Sequence, residues 1–144
     1  MDIEEQYDKI FRFCFWKIHN REVAEDLTQE TFLRYLSASH HDQGKEMQYL
    51  YTIARNLCVD EYRRMNETID IDADISDNGE YSESMEYMVQ INDIMEKLSE
   101  EDREILVLRF VNEEPVSYIC HVTGMSRFAL YRRIKSIKKQ LRNS

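Results

Sequence analysis

Apolar residues recur at helical spacing along most of this chain, and several stripes open or close on a residue that caps or breaks a helix. Ile3, Tyr7, Ile10, Phe11, Cys14 and Ile18 predict a first helix up to about His19, with Phe13 and Trp16 on its other side, read as packing under another helix. Asn20 is placed as the N-cap of a second helix running to about Leu36. At about 100° per residue, Val23, Ala24, Leu27, Thr31 and Tyr35 share its inward side, with Phe32 at the edge. Glu22, Asp26, Gln29, Glu30 and Leu33 share the other side, an acidic ridge around one apolar residue. On pattern alone that ridge reads as a solvated face with a stray leucine, because single surface apolars are common.

Ser37 to Glu46 has no period and holds a glycine, so it predicts a loop. Met47, Leu50, Ile53, Ala54, Leu57 and Cys58 then predict a third helix, Met47 to Met65, with Gln48, Thr52, Arg55, Asn56, Val59 and Arg63 opposite. Glu67 to Tyr81 breaks the rhythm. Ile69-Asp70-Ile71-Asp72 alternates like a strand with no second strand to pair with, and so much aspartate favours an extended linker. Helical spacing resumes near Ser84 with Met88, Ile91, Ile94, Met95 and Leu98. Ser99 with Asp102 looks like a capping box opening a helix through Ile105, Leu108 and Phe110. Pro115 starts a short helix carrying Ile119 and Cys120, Gly124 ends it, and Ser126 caps a last helix with the stripe Leu130, Ile134, Ile137 and Leu141.

The predicted fold is therefore all-α: two small helical domains, residues 1–66 and 84–144, joined by an acidic linker, residues 67–83. The linker should let the two fold independently and move relative to one another. One proline and three glycines in 144 residues agree with helices throughout.

Charge sharpens this division. The net −9 resolves into −3 for residues 1–66 (9 basic, 12 acidic), −12 for 67–104 (2 basic, 14 acidic) and +6 for 105–144 (8 basic, 2 acidic). From Ser126 onward there are seven bases and no acid. Phe128, Tyr131, Arg132, Lys135, Lys139 and Arg142 lie opposite the apolar stripe of that helix. A short helix, a glycine turn and a capped basic helix read as a helix-turn-helix facing nucleic acid. Candidate chemistry is otherwise sparse. No nucleophile motif, glycine-rich phosphate loop or metal-ligand cluster is recognisable, so neither an enzyme nor a cofactor is expected. His40-His41 lacks a third ligand at metal-binding spacing. Cys14, Cys58 and Cys120 are odd in number and far apart, which suits buried thiols in a reducing compartment. With no long apolar run and an acidic start at Met1-Asp2-Ile3-Glu4-Glu5, the cytoplasm is the expected location.

Two stretches carry a family resemblance. Ala24-Glu25-Asp26-Leu27-Thr28-Gln29-Glu30-Thr31-Phe32, and Tyr49-Leu50-Tyr51-Thr52-Ile53-Ala54-Arg55-Asn56-Leu57 with Asp60 and Arg63, form the first. Leu98 to Arg103, Leu108-Arg109-Phe110, Ile119-Cys120, Gly124-Met125-Ser126 and Ala129 to Arg133 form the second. In that order, with an acidic linker between, they resemble the extracytoplasmic-function (ECF) sigma factors, the minimal two-domain class of bacterial sigma factors. The chain departs from the family pattern at Tyr49 (usually tryptophan), Tyr118 (usually glutamate), Cys120 (usually alanine) and Tyr131-Arg132, so promoter preference does not carry over.

The resemblance implies a non-enzymatic subunit that binds core RNA polymerase and directs promoter recognition, DNA melting and transcription initiation. By resemblance, Asp26, Gln29, Glu30 and Leu33 meet the clamp helices of the polymerase's largest subunit. Arg55, Asn56 and Arg63 bind the minus-ten element as single strand, and the loop from Ser37 to Glu46 holds a flipped base. The last helix reads the minus-thirty-five element: Arg127, Tyr131, Arg132 and Lys135 reach bases, Arg133, Lys138 and Lys139 hold phosphates, and Phe128 belongs to the same DNA-binding face. The linker would lie in the RNA exit path, and an anti-sigma factor is an implied partner. Two other classes fit the residues less fully. A stand-alone helix-turn-helix regulator would bind DNA specifically without polymerase. A helical protein-binding adaptor would leave the basic helix without a use.

Overall fold

The computed structural model describes residues 2–38, 44–67 and 93–143. His40 and His41, the linker residues 68–83 and the apolar stripe from Ser84 to Ile91 lie outside the described residues.

Capping explains where the helices begin and end. α1 (Ile3–Ile18) starts on Asp2, whose carboxylate accepts from the Glu5 amide at 2.9 Å. It stops where His19 turns left-handed at φ 62° and donates its N–H to Phe15 at 2.7 Å. α2 (Arg21–Ser37) is capped by Asn20, which accepts from the Val23 amide at 3.0 Å. α3 spans Glu46–Glu67. After a short helical turn at residues 93–96, Ser99 caps α4 (Glu100–Leu106) by accepting from the Asp102 amide at 3.1 Å. α4 runs directly into a π-helical turn, Val107–Val111, in which the Asn112 amide reaches back five residues to the Val107 carbonyl at 2.8 Å. Pro115 precedes α5 (Val116–Thr123), and Gly124 ends it at φ 79°, a conformation that glycine adopts without a Cβ penalty. Ser126 caps α6 (Arg127–Arg142) by accepting from the Ala129 amide at 3.1 Å.

The first three helices pack on one another around Ile10, Cys14, Ala24, Leu50, Ala54 and Cys58. Thr28 and Thr31 also point inward, and each buried hydroxyl donates to a carbonyl four residues back at 2.7 Å, so neither is unsatisfied. α4, α5 and α6 close around Ile105, Leu108, Ile119, Leu130, Ile134 and Ile137. Arg133 ties α6 to α4 by donating to Asp102 and Glu101.

The two halves do not stand apart. Phe13 and Trp16 project from the far side of α1 and are buried, as their apolar character requires. With Tyr51 of α3 they meet α4 and the π turn, so the buried apolar residues of both halves form one contiguous cluster. Not every residue expected on an apolar stripe is buried in it. Ile3 is exposed in the first turn of α1, Phe110 is exposed at the π turn, and Cys120 is half-buried. The extra residue per π turn explains Phe110, because it shifts the phase of an α-helical stripe.

Candidate nucleic-acid and partner surfaces

On α2 the outward face is as the pattern placed it. Leu33 is 61% exposed, Leu36 adds a second apolar side chain at 70%, and Asp26 and Gln29 are exposed beside them. Glu30 is held half-buried by Arg34, whose Nε donates to it at 2.9 Å. Two leucines spaced i, i+3 share this ridge, so the apolar centre is larger than one stray residue.

α3 divides its predicted polar residues. Asn56 and Arg63 are exposed, and the nearest carboxylate to Arg63 is Asp60 at 3.9 Å, an exposed pair of little consequence. Arg55 differs. Its Nε donates to Glu104 of α4 at 2.6 Å, and Lys17 of α1 reaches the same carboxylate at 3.2 Å. Glu104 is buried with only 4% of its side chain exposed, and a buried carboxylate requires such partners.

A second polar knot lies along the same seam. Tyr51 donates its hydroxyl to Glu114 at 2.5 Å and accepts from the Asn112 amide at 3.0 Å. Burial, reinforced by that contact with Glu114, pushes the phenol well above its ordinary range, so the hydroxyl stays protonated and donates. Lys9 reaches Glu114 at 3.1 Å. Asn112 also donates to the Lys9 carbonyl at 3.0 Å and accepts from Arg12 Nε at 2.9 Å. At the end of α1, Arg103 approaches His19 Nε2 at 3.4 Å. Burial first, and the Arg103 charge second, hold the His19 imidazole below its usual value.

Sequence reasoning did not anticipate Glu104, Asn112, Glu114 or Tyr51 as seam residues. Glu104 sits in a run of acids that reads as a solvated helix start, and Tyr51, at helical spacing from Met47, Ala54 and Cys58, reads as one more core residue of α3. No local pattern reveals what will cover them.

α6 presents a different surface. Arg127, Phe128, Tyr131, Arg132, Lys135 and Lys139 are all exposed, with Phe128 at 76% and Tyr131 at 52%. None of these four cations forms an ion pair among the described residues. Lys138 lies 6.0 Å from the centre of the Phe110 ring. Arg133 is turned inward to Asp102 and Glu101, which raise its pKa further, so a phosphate would have to compete with two carboxylates for it.

Among the described residues no three His, Cys, Asp or Glu side chains gather as metal ligands, and no helix is long and apolar enough to cross a membrane. Cys14 and Cys58 are buried against one another between α1 and α3. Their contact lowers the Cys14 pKa and raises that of Cys58, which fits one thiol donating to the other.

Residues 3–68, which hold the acidic helix with its apolar centre and the helix with exposed Asn56 and Arg63, match the family model of sigma-70 region 2. The chain is 28% identical over 153 residues to the ECF RNA polymerase sigma factor BldN of Streptomyces coelicolor, covering 95% of this chain and 58% of that protein. It is 27% identical to SigW of Bacillus subtilis, covering 99% of this chain and 88% of that one. To SigM of the same organism it is 28% identical, covering 88% and 84%. The chain thus spans a little over half of the first relative and most of the other two. Over most of its length the chain is therefore similar to ECF-type sigma factors, and its first half matches their region 2.

Proposed function

We propose that this protein is an alternative sigma factor that binds core RNA polymerase and directs promoter recognition, melting and the start of transcription. The observation that carries the reading is the outward face of α2 within the matched region. Leu33 and Leu36 are exposed there, flanked by Asp26, Gln29 and Glu30, so an apolar anchor has a polar rim. That face would seat on the clamp helices of the polymerase's largest subunit.

In this reading residues 1–66 form the polymerase- and minus-ten-binding domain, residues 67–83 the acidic linker, and residues 84–144 a helix-turn-helix domain for the minus-thirty-five element. Asn56 and Arg63, with Arg55 once released from Glu104, would take the single strand. Arg127, Phe128, Tyr131, Arg132, Lys135 and Lys139 would enter or flank the major groove. Arg133 is better read as a brace for α6 than as a phosphate contact. The protein supplies contacts and leaves the chemistry to the polymerase. An anti-sigma factor would control it by covering one of these surfaces, and it would act in the cytoplasm.

Transcription from a promoter library by core polymerase, with and without the protein, tests the reading. Discrete start sites that depend on the protein are expected. Sequence-specific DNA binding by the protein alone, with no effect on polymerase, would favour a stand-alone regulator. Leu33→Asp sharpens the test. Stability should stay within about 0.5 kcal/mol, because the side chain is already exposed. Co-purification with core polymerase should be lost, because a carboxylate at the centre of the interface would be desolvated unpaired. Retained binding by the folded variant would remove α2 from the interface.

A further inference from the structure

Two of the chain's three cysteines meet inside the first core, where the function proposed above has no use for them. Cys14 of α1 and Cys58 of α3 are 0% and 2% exposed, and each thiol lies against the other where the two helices pack. A single buried thiol would need no further account, since it packs as a small apolar side chain. A facing pair is different: two thiols in contact on neighbouring helices need only a small approach to reach bonding distance. Their surroundings also differ from those of an inert core. Lys17 follows Cys14 by one turn of α1, and its ammonium favours the thiolate of both cysteines. Contact with Cys58 holds the Cys14 thiol below its ordinary range, while the same contact and then burial hold Cys58 above it. The pair thus sheds one proton and shares the other, and either sulfur can carry the negative charge. An open crevice of about 280 Å³ gives access. It is lined by Lys17, Cys58, Val59, Tyr62, Arg63 and Glu100, so a small polar molecule entering it passes two cations and meets the wall formed by Cys58.

We propose that Cys14 and Cys58 form a dithiol oxidation site that takes hydrogen peroxide as its substrate and closes to a reversible disulfide. Peroxide enters the crevice, and the Cys58 sulfur attacks one of its oxygens with an electron pair. The O–O bond breaks, the released hydroxide takes up a proton and leaves as water, and Cys58 becomes a sulfenic acid. The Cys14 thiolate then attacks the Cys58 sulfur. The S–S bond forms, the S–O bond breaks, and a second water leaves. In sum the two thiols give up two electrons and two protons, and one peroxide becomes two waters. A dithiol reductant reverses the step by exchange. The bridge ties α1 to α3 and closes a loop that contains all of α2, whose outward face carries Leu33 and Leu36. Closing that loop restricts the unfolded chain, so the oxidised protein holds its first three helices more firmly than the reduced one. A bridge that forms under peroxide and is later removed also suits a reducing compartment, where lasting disulfides are rare. The site stands on the contact between α1 and α3 and does not rest on the sigma-factor reading.

The test uses the full chain with Cys120→Ser, which leaves the pair as its only cysteines. Brief treatment of the folded protein with hydrogen peroxide should lower the intact mass by two hydrogens. Peptide mapping without reductant should then find Cys14 linked to Cys58, and dithiothreitol should restore both thiols. The midpoint of thermal unfolding should rise by roughly 5–10 °C on oxidation and return on reduction. Cys58→Ala should show neither the linkage nor the rise. Thiols that survive peroxide in the folded protein overturn the proposal, as do added oxygen without a linked peptide and bridges between two chains. A linkage that forms only in urea overturns it too, because the pair would then react only out of the fold. If Cys120→Ser does not fold, the same map on the native chain distinguishes a Cys14–Cys58 bridge from any bridge to Cys120. Transcription by the reduced protein with core polymerase reports on the sigma-factor reading separately, and its failure would leave this site standing.

Discussion

The cations of α6 and those of the seam between the two halves are the same residue types in opposite circumstances. Along α6, Arg127, Arg132, Lys135 and Lys139 extend into solvent. At the seam, Lys9, Lys17 and Arg55 are each within 3.2 Å of a carboxylate from the other half of the chain. A free surface cation has lost nothing by staying hydrated and is ready for a phosphate. A half-buried one has given up water, and it keeps its charge only because an anion replaces the water. Charge alone therefore does not mark a nucleic-acid surface; what the charge faces decides. Arg133 shows this within a single helix, since it shares α6 with the free cations yet braces α4.

The comparison can be broken most forcefully at Tyr51, the fully buried ring that links the seam to the first core. Tyr51→Ala should cost about 4 kcal/mol, because it opens a cavity and removes one hydrogen-bond partner from each of Asn112 and Glu114. Thermal or denaturant unfolding measures this, and a loss under about 1 kcal/mol would mean that the seam contributes little to stability.

Smaller effects are expected on α6, where the residues are free. Arg132→Ala should weaken binding to the preferred promoter site by about 1–3 kcal/mol and relax selectivity there. Lys139→Ala should weaken every sequence alike and reduce the salt slope by roughly one. Equal, sequence-blind losses for both would mean that α6 does not read bases.

The smallest effect is at His19. Its folded pKa is depressed, so the unfolded chain takes up the proton first and stability rises with pH through that interval. The contribution is present above the unfolded value near 6.5 and is lost as pH falls through the folded one. Protonation would set a cation against Arg103, with Glu100 and Glu96 partly offsetting it. His19→Gln should flatten this part of the stability profile, as urea unfolding between pH 7 and pH 5 can measure. An unchanged profile would remove His19 from the seam.

Much of the architecture was legible because local chemistry determines it. Asn20, Ser99, Ser126 and Gly124 cap the helices they were expected to cap, and Leu130, Ile134 and Ile137 of the α6 stripe are buried, with Leu141 partly so. The outward Leu33 was legible for the same reason. The docking of the two halves was not. It depends on Glu104 and Glu114, which look like ordinary surface acids until a lysine or arginine some fifty or more residues away along the chain comes to meet them. Phe13 and Trp16 were the available hint, since a helix with apolar residues on two sides must be covered twice.

The π turn at Val107–Val111 has a bearing on how this chain tolerates change in length. An α-helix advances about 100° per residue, so the additional residue in the wider turn resets the angular phase of everything after it. Asn112 and Glu114 face α1 and α3 because of that reset. Substitutions within the turn leave the phase intact. Deleting one residue there would regularise the helix while rotating Asn112 and Glu114 by roughly a quarter to a third of a revolution, away from Lys9, Arg12 and Tyr51. The orientation of one half of the molecule on the other is thus encoded in a residue count as much as in residue identity.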